Sequence, residues 1–150
     1  MKNRVLILSL IILAGISLTA TAGNDWKTSF SEATNAAAYR NLPILAYFSA
    51  SDTSEDCKRF DFLVLRRPEF QKFASANFIL FQADLPRKHP LPDDIKNQNY
   101  ELIKLYRVNK CPTVLLLNYR GQTIPTINLT HDGKSNALQY IETLKKAINK

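Results

Sequence analysis

This sequence predicts an α/β fold, a mixed four-stranded sheet flanked by helices on both faces, and three observations lead there. Short apolar runs of strand length (44–48, 78–83 and 113–117) alternate with stretches whose apolar residues recur every three or four positions. Strands separated by helices require parallel crossover pairing. The last of these runs is followed by Asn118-Tyr119-Arg120-Gly121, a turn composition that returns the chain into a fourth run, 123–128, antiparallel to the third.

The chain opens with Lys2 and Arg4, an apolar run over 5–18, and then Thr19-Ala20-Thr21-Ala22-Gly23. A charged start, an apolar core and an Ala-x-Ala site form, in that order, a secretory signal peptide, with cleavage expected after Ala22. Residues 1–22 are therefore read as the signal and residues 23–150 as one domain, long enough to bury a core unaided. No later stretch is long enough to cross a bilayer, so no stable membrane span is expected after cleavage, and the protein is expected in the periplasm or outside the cell.

Trp26, Phe30, Ala33 and Ala37 make one stripe of a first helix that should stop before Pro43. After the buried strand 44–48, polar residues 49–53 lead into a second helix. Glu55 and Asp56 suit its first turn, and Cys57, Phe60 and Val64 suit its inward face. Pro68 interrupts this helix, and 69–76 resumes it with Phe70 and Phe73 inward. Residues 84–94 hold Pro86, Pro90 and Pro92 and read as a loop. Its basic and apolar residues suit a partner, although a plain surface loop is the simpler reading. Helicity returns with Leu102, Leu105 and Tyr106. In the fourth strand, Pro125 demands a sheet edge. Ala137, Ile141, Leu144 and Ile148 make the final helix, and the phenylalanines follow the elements as core.

The net charge is +7, but the basic residues are scattered as Lys58-Arg59, Arg66-Arg67, Arg87-Lys88 and Lys145-Lys146. Without interleaved aromatics they describe a solvated surface, and no nucleic-acid partner is expected. His89 and His131 have no nearby partner for catalysis. Together with two distant cysteines they lack the paired spacing of a zinc site, so neither a metal nor another cofactor is expected.

The informative feature is Ser54-Glu55-Asp56-Cys57, with Cys111-Pro112-Thr113 further on; these hold the chain's 2 cysteines. A cysteine three residues after a serine, where a helix follows an apolar strand, looks like a two-cysteine exchange motif that has lost its first sulfur. In an oxidising compartment two cysteines can pair or serve as reactive thiols.

With Trp26 opening the first helix, Pro43-Ile44-Leu45-Ala46-Tyr47-Phe48 before the Ser54-x-x-Cys57 turn, and Cys111-Pro112-Thr113 before the hairpin, the chain resembles the thioredoxin-like superfamily. More narrowly, residues 48–58 resemble secreted bacterial thioredoxin-related proteins. In that register Thr53 replaces a tryptophan, Ser54 replaces the first cysteine, and Tyr47 stands where many members carry a buried aspartate. The resemblance implies thiol–disulfide exchange or disulfide quality control, with Cys57 and Cys111 as catalytic sulfurs. It also implies a cis Pro112, and a loop over Cys111, Pro112 and Thr113 that contacts a polypeptide client or redox partner protein. A serine hydroxyl cannot attack a disulfide. If the family geometry holds, Cys57 and Cys111 lie near enough for a disulfide. A structural staple, a rewired exchanging pair and two independent buried thiols stay open, as does a redox-inactive module that binds extended or unfolded polypeptides. Whether the chain is an enzyme therefore stays open too.

Overall fold

The computed structural model describes residues 25–149. The expected signal segment lies outside the described residues. In chain order the elements are α1 (Phe30–Arg40), β1 (Ile44–Ser49), α2 (Glu55–Phe60), a π-helical segment (Asp61–Leu65), α3 (Pro68–Asn77), β2 (Ile79–Asp84), α4 (Asp93–Leu105), β3 (Thr113–Leu117) and α5 (Ala137–Ile148). The strands lie in the order β2-β1-β3. β1 runs parallel to β2, with Ile44 opposite Ile79 and Ser49 opposite Asp84, and antiparallel to β3, with Phe48 opposite Thr113.

The sheet thus has three strands rather than the four expected. Leu117 and Thr123 form an isolated antiparallel bridge, and the Ile124 N–H donates to the Leu116 carbonyl at 2.8 Å. Pairing ends there. Pro125 locks its φ near about −65°, away from strand values, and the chain leaves the edge. The opposite edge also differs from the expected one. Trp26 precedes the first helix instead of opening it, because the Ser29 hydroxyl accepts the Glu32 N–H and caps α1 at Phe30. Lys27 instead forms a parallel bridge to Phe81, so an extended segment borders β2.

All six β1 residues are buried, as a central strand covered on both faces must be. Leu45 and Tyr47 enter a core with Phe60, Phe70, Tyr140 and Leu144 beneath α2, α3 and α5. Ile44, Ala46 and Phe48 enter the opposite core with Ala33, Phe81 and Leu102 beneath α1 and α4. Pro68 occupies the start of α3, where its missing N–H costs no hydrogen bond. The π-helical segment was not legible in the apolar spacing; its signature is the Arg66 N–H reaching the Asp61 carbonyl at 3.0 Å. In α4, Leu102 is buried and Leu105 is 67% exposed. Tyr106 turns inward, and its hydroxyl donates to the Gly121 carbonyl at 2.6 Å. Among the described residues no helix is long and apolar enough to cross a membrane.

Phe60 joins α2 to this core. Its ring lies 5.5 Å from Tyr47, 4.8 Å from His131 and 5.0 Å from Tyr140. Phe60→Ala should destabilise the domain by about 3–5 kcal/mol. Urea unfolding checks this, and a loss below about 1 kcal/mol would contradict the packing described.

Candidate functional site

The chain leaves β1 at Ser49, which is buried and faces Asp84 across the sheet. The Asp84 carboxylate accepts from the Ser49 hydroxyl at 2.6 Å, from the Ser51 N–H at 2.9 Å and from the Ser51 hydroxyl. Gln82 donates to Ser49 at 3.0 Å. These bonds hold the turn that delivers Ser54. The Ser54 hydroxyl accepts the Cys57 N–H at 3.2 Å and caps α2. Glu55 pairs with Lys58 at 2.7 Å, which holds its carboxyl below the usual range, and Asp56 is exposed. Cys57 points inward and is 1% exposed.

The Cys111–Pro112 peptide is cis. Thr113 begins β3, its hydroxyl donating to the Lys110 carbonyl at 2.8 Å. The N–H and C=O of Cys111 are not used by other backbone groups among the described residues. Cys57 and Cys111 are both free thiols, the first buried and the second half-buried. The Cys111 thiol is pushed up to about 11, first by burial, then by the neighbouring Cys57 sulfur and the Asp84 carboxylate. Tyr47 is raised far above an ordinary phenol, chiefly by burial and then by Cys57 beside it. Where a carboxylate would exchange protons, this site therefore has a hydroxyl that stays protonated.

The two sulfurs open on different spaces. Cys57 lines a cavity of about 800 Å³ with Trp26, Tyr47, Asp61 and Asp84. Cys111 lines a groove of about 490 Å³ with Thr53, Leu85, Leu91 and Tyr100. It also lines a cleft of about 170 Å³ with Asp56, Pro112 and His131. The fold therefore brings Asp56, Cys111 and Pro112 to one cleft, while Cys57 faces the interior beneath α2.

Neither histidine is placed for catalysis. His89 is exposed, with Nδ1 3.8 Å from Asp52. His131 has a buried side chain, and both ring nitrogens are occupied. Nε2 lies 2.7 Å from the Ser135 carbonyl, which can only accept, so that nitrogen carries the proton. Nδ1 accepts the Gly133 N–H at 3.1 Å. Among the described residues no cluster of metal-ligating side chains forms.

Two carboxylates escaped the sequence reading. Asp84 was assigned to a loop, although it ends β2. Its sequence signal is an aspartate closing an apolar strand, which gains meaning only once the register sets it opposite Ser49. Asp52 accepts the Arg87 N–H at 3.0 Å and the Lys88 N–H, tying the proline-rich loop to the turn before α2. These N–H donors hold its carboxyl below the usual range.

Comparison with known proteins agrees with this geometry. The sequence family described as Thioredoxin-like matches residues 25–118. The chain is 25% identical over 129 residues to the disulfide bond reductase DsbH of Chlamydia pneumoniae, covering 86% of this chain and 75% of that protein. It is 28% identical over 126 residues to the thioredoxin-related protein DsbJ of the same organism, covering 81% of this chain. The match spans only 36% of DsbJ. Among solved structures, DsbH oxidoreductase superposes with a TM-score of 0.74 at 23% identity, covering 83% of each chain. A disulphide isomerase from Xylella fastidiosa Temecula1 superposes with a TM-score of 0.59 at 21% identity, covering 77% of this chain and 85% of the other. These superpositions show a shared fold.

Asp84→Asn removes one negative charge that opposes the Cys111 thiolate, so the thiol should titrate below about 11 and alkylate roughly two- to tenfold faster at pH 8. An unchanged pH profile of iodoacetamide labelling would remove Asp84 from this role. Asp52→Ala should release the proline-rich loop, seen as faster tryptic cleavage after Arg87 and Lys88 while urea unfolding of the whole domain changes little. Equal cleavage rates would show that the loop is held by other contacts.

Proposed function

We propose, because this chain belongs to the thioredoxin-like family, that it is an exported protein that takes part in thiol–disulfide exchange, with Cys111 as its accessible sulfur and Cys57 as its resolving one. In this reading residues 1–22 are removed on export, and 23–150 work in the periplasm or outside the cell. The observation that carries it is the placement of two free thiols at one end of the sheet: Cys57 lies in α2, just after β1, and Cys111 just precedes β3, whose Thr113 pairs with Phe48 of β1. The matched relatives described as a disulfide bond reductase and a thioredoxin-related protein support the reaction class.

The exchange runs through two displacements. Deprotonated Cys111 attacks one sulfur of a client disulfide; the client S–S bond breaks, and the second client sulfur leaves as a thiolate and takes up a proton. Deprotonated Cys57 then attacks the Cys111 sulfur, forms the Cys57–Cys111 disulfide and releases the first client sulfur. Two electrons have passed to the client, and a dithiol redox partner protein restores the pair. The loop over Cys111, Pro112 and Thr113 presents the unused N–H and C=O of Cys111 to the client backbone. Ser54 takes no covalent part, since a hydroxyl does not attack a disulfide; it accepts the Cys57 N–H and caps α2.

The protonated state of Cys111 sets the pace. Below about 11 the reactive fraction rises roughly tenfold per pH unit. A second reading, a redox-inactive module holding extended or unfolded polypeptide, draws support from the burial of Cys57 and the occupied hydroxyl of Ser54.

Incubation with a disulfide-bonded client separates the two readings. Wild-type protein should acquire an intramolecular Cys57–Cys111 bond, Cys57→Ser should accumulate a mixed disulfide at Cys111, and Cys111→Ser should do neither, all read by non-reducing mass spectrometry. The wild-type rate should climb between pH 7 and 10. Client binding without any mixed disulfide in Cys57→Ser would sink exchange and establish the binding module.

A further inference from the structure

We infer that the groove between the proline-rich loop and α4 binds the client segment flanking the client's cysteine, and that it selects an apolar residue adjacent to an acidic one. This rests on the reading that Cys111 receives the client sulfur, since Cys111 lines one part of the groove.

Its walls are suited to an apolar side chain. Leu85, Pro86, Leu91 and Tyr100 line it, and Tyr100 is 45% exposed. Leu85, Leu91 and Tyr100 join neither hydrophobic core, so their apolar surface serves no internal packing. A volume of about 490 Å³ lies within the range of concave sites that bury a ligand.

Both walls are tied to the end of the central sheet. Asp52 gathers the Arg87 and Lys88 N–H groups, and the Leu85 N–H donates to the Ser49 carbonyl at 3.0 Å. On the facing wall, buried Asn99 donates its side-chain amide to the Asp84 carbonyl at 2.8 Å, fixing α4. A groove built this way is ordered before a client arrives, which lowers the entropic cost of binding.

Charge supplies the second half of the selection. Arg87 and Lys96 line the groove, and neither pairs with a carboxylate among the described residues. Asp93 is the one acid in the lining. The Asp52 carboxylate beneath the loop is already engaged by two N–H groups. The lining therefore keeps one cation uncompensated, and an acidic side chain complements it.

Fluorescent peptides of about twelve residues, with serine in place of the central cysteine and Leu-Glu on either side, test the inference by anisotropy. The Leu-Glu peptide should bind, its Leu-Lys counterpart should bind roughly tenfold more weakly, and added salt should narrow the gap. The double substitution Arg87→Glu and Lys96→Glu, at two exposed positions, should reverse the preference. Equal affinities, indifference to the charge reversal, or no binding by either peptide would overturn the inference. Self-association of the chain abolished by the same substitutions, without peptide binding, would reassign the groove to a second copy and overturn it as well. The peptides carry no sulfur, so the two proposals fail separately. Peptide selection without mixed-disulfide formation at Cys111 sinks exchange and leaves the groove standing, whereas exchange with indifferent peptide affinities sinks the groove alone.

Discussion

The structure depends on one constraint: β1 is buried on both faces and paired on both edges. A strand in that position cannot slip by one residue without exchanging its two sets of side chains between opposite cores. Leu45 and Tyr47 would move away from Phe60, and Phe48 would leave Phe81 and Leu102. The same register puts Ser49 opposite Asp84 and Phe48 opposite Thr113. The turn before α2, the Asp84 carboxylate and the Cys111–Pro112 loop therefore converge at one end of the sheet as a consequence of core packing. The chemistry inherits its geometry from the strand.

Around that end, the electrostatics restrain reactivity. Burial, the Cys57 sulfur and Asp84 all oppose negative charge on Cys111, and Tyr47 presents a protonated hydroxyl where a carboxylate could have accepted a proton. The second sulfur sits inside, against a separate cavity. The raised Cys111 thiol keeps the thiolate fraction small near neutral pH. The proline-rich loop, pinned by Asp52, adds a fixed surface beside the accessible sulfur.

Much of the fold was legible because strong periodic signals coincide with single structural causes. The apolar run around Leu45, the cysteine-proline pair before β3 and the stripe through Ile141 and Leu144 each gave their element directly. Failures occurred where a distant contact overrides local pattern. Trp26 has the spacing of a helix residue, yet the Ser29 cap and the Lys27–Phe81 bridge hold it in extended chain. Tyr106 has the spacing of a helix residue, but α4 ends at Leu105 and the Tyr106 hydroxyl is bound to the Gly121 carbonyl. Run 123–128 has strand composition and loses its ladder at Pro125. In the site, Ser54, Cys57, Cys111 and Pro112 stood out as sequence motifs. Asp52 and Asp84 did not, because their meaning lies in N–H and hydroxyl partners brought to them by other segments.

The Ser54 cap also bears on how such a segment can change. Serine is among the preferred residues at a helix N-cap, and losing such a cap typically costs about 1 kcal/mol. A sulfur at position 54 would restore the missing nucleophile and weaken the first turn of the helix that presents Cys57. Local stability and reactivity thus compete for the same side-chain atom. The serine form lies on the stable side of that trade-off, and a cysteine at this position would need compensation elsewhere in α2.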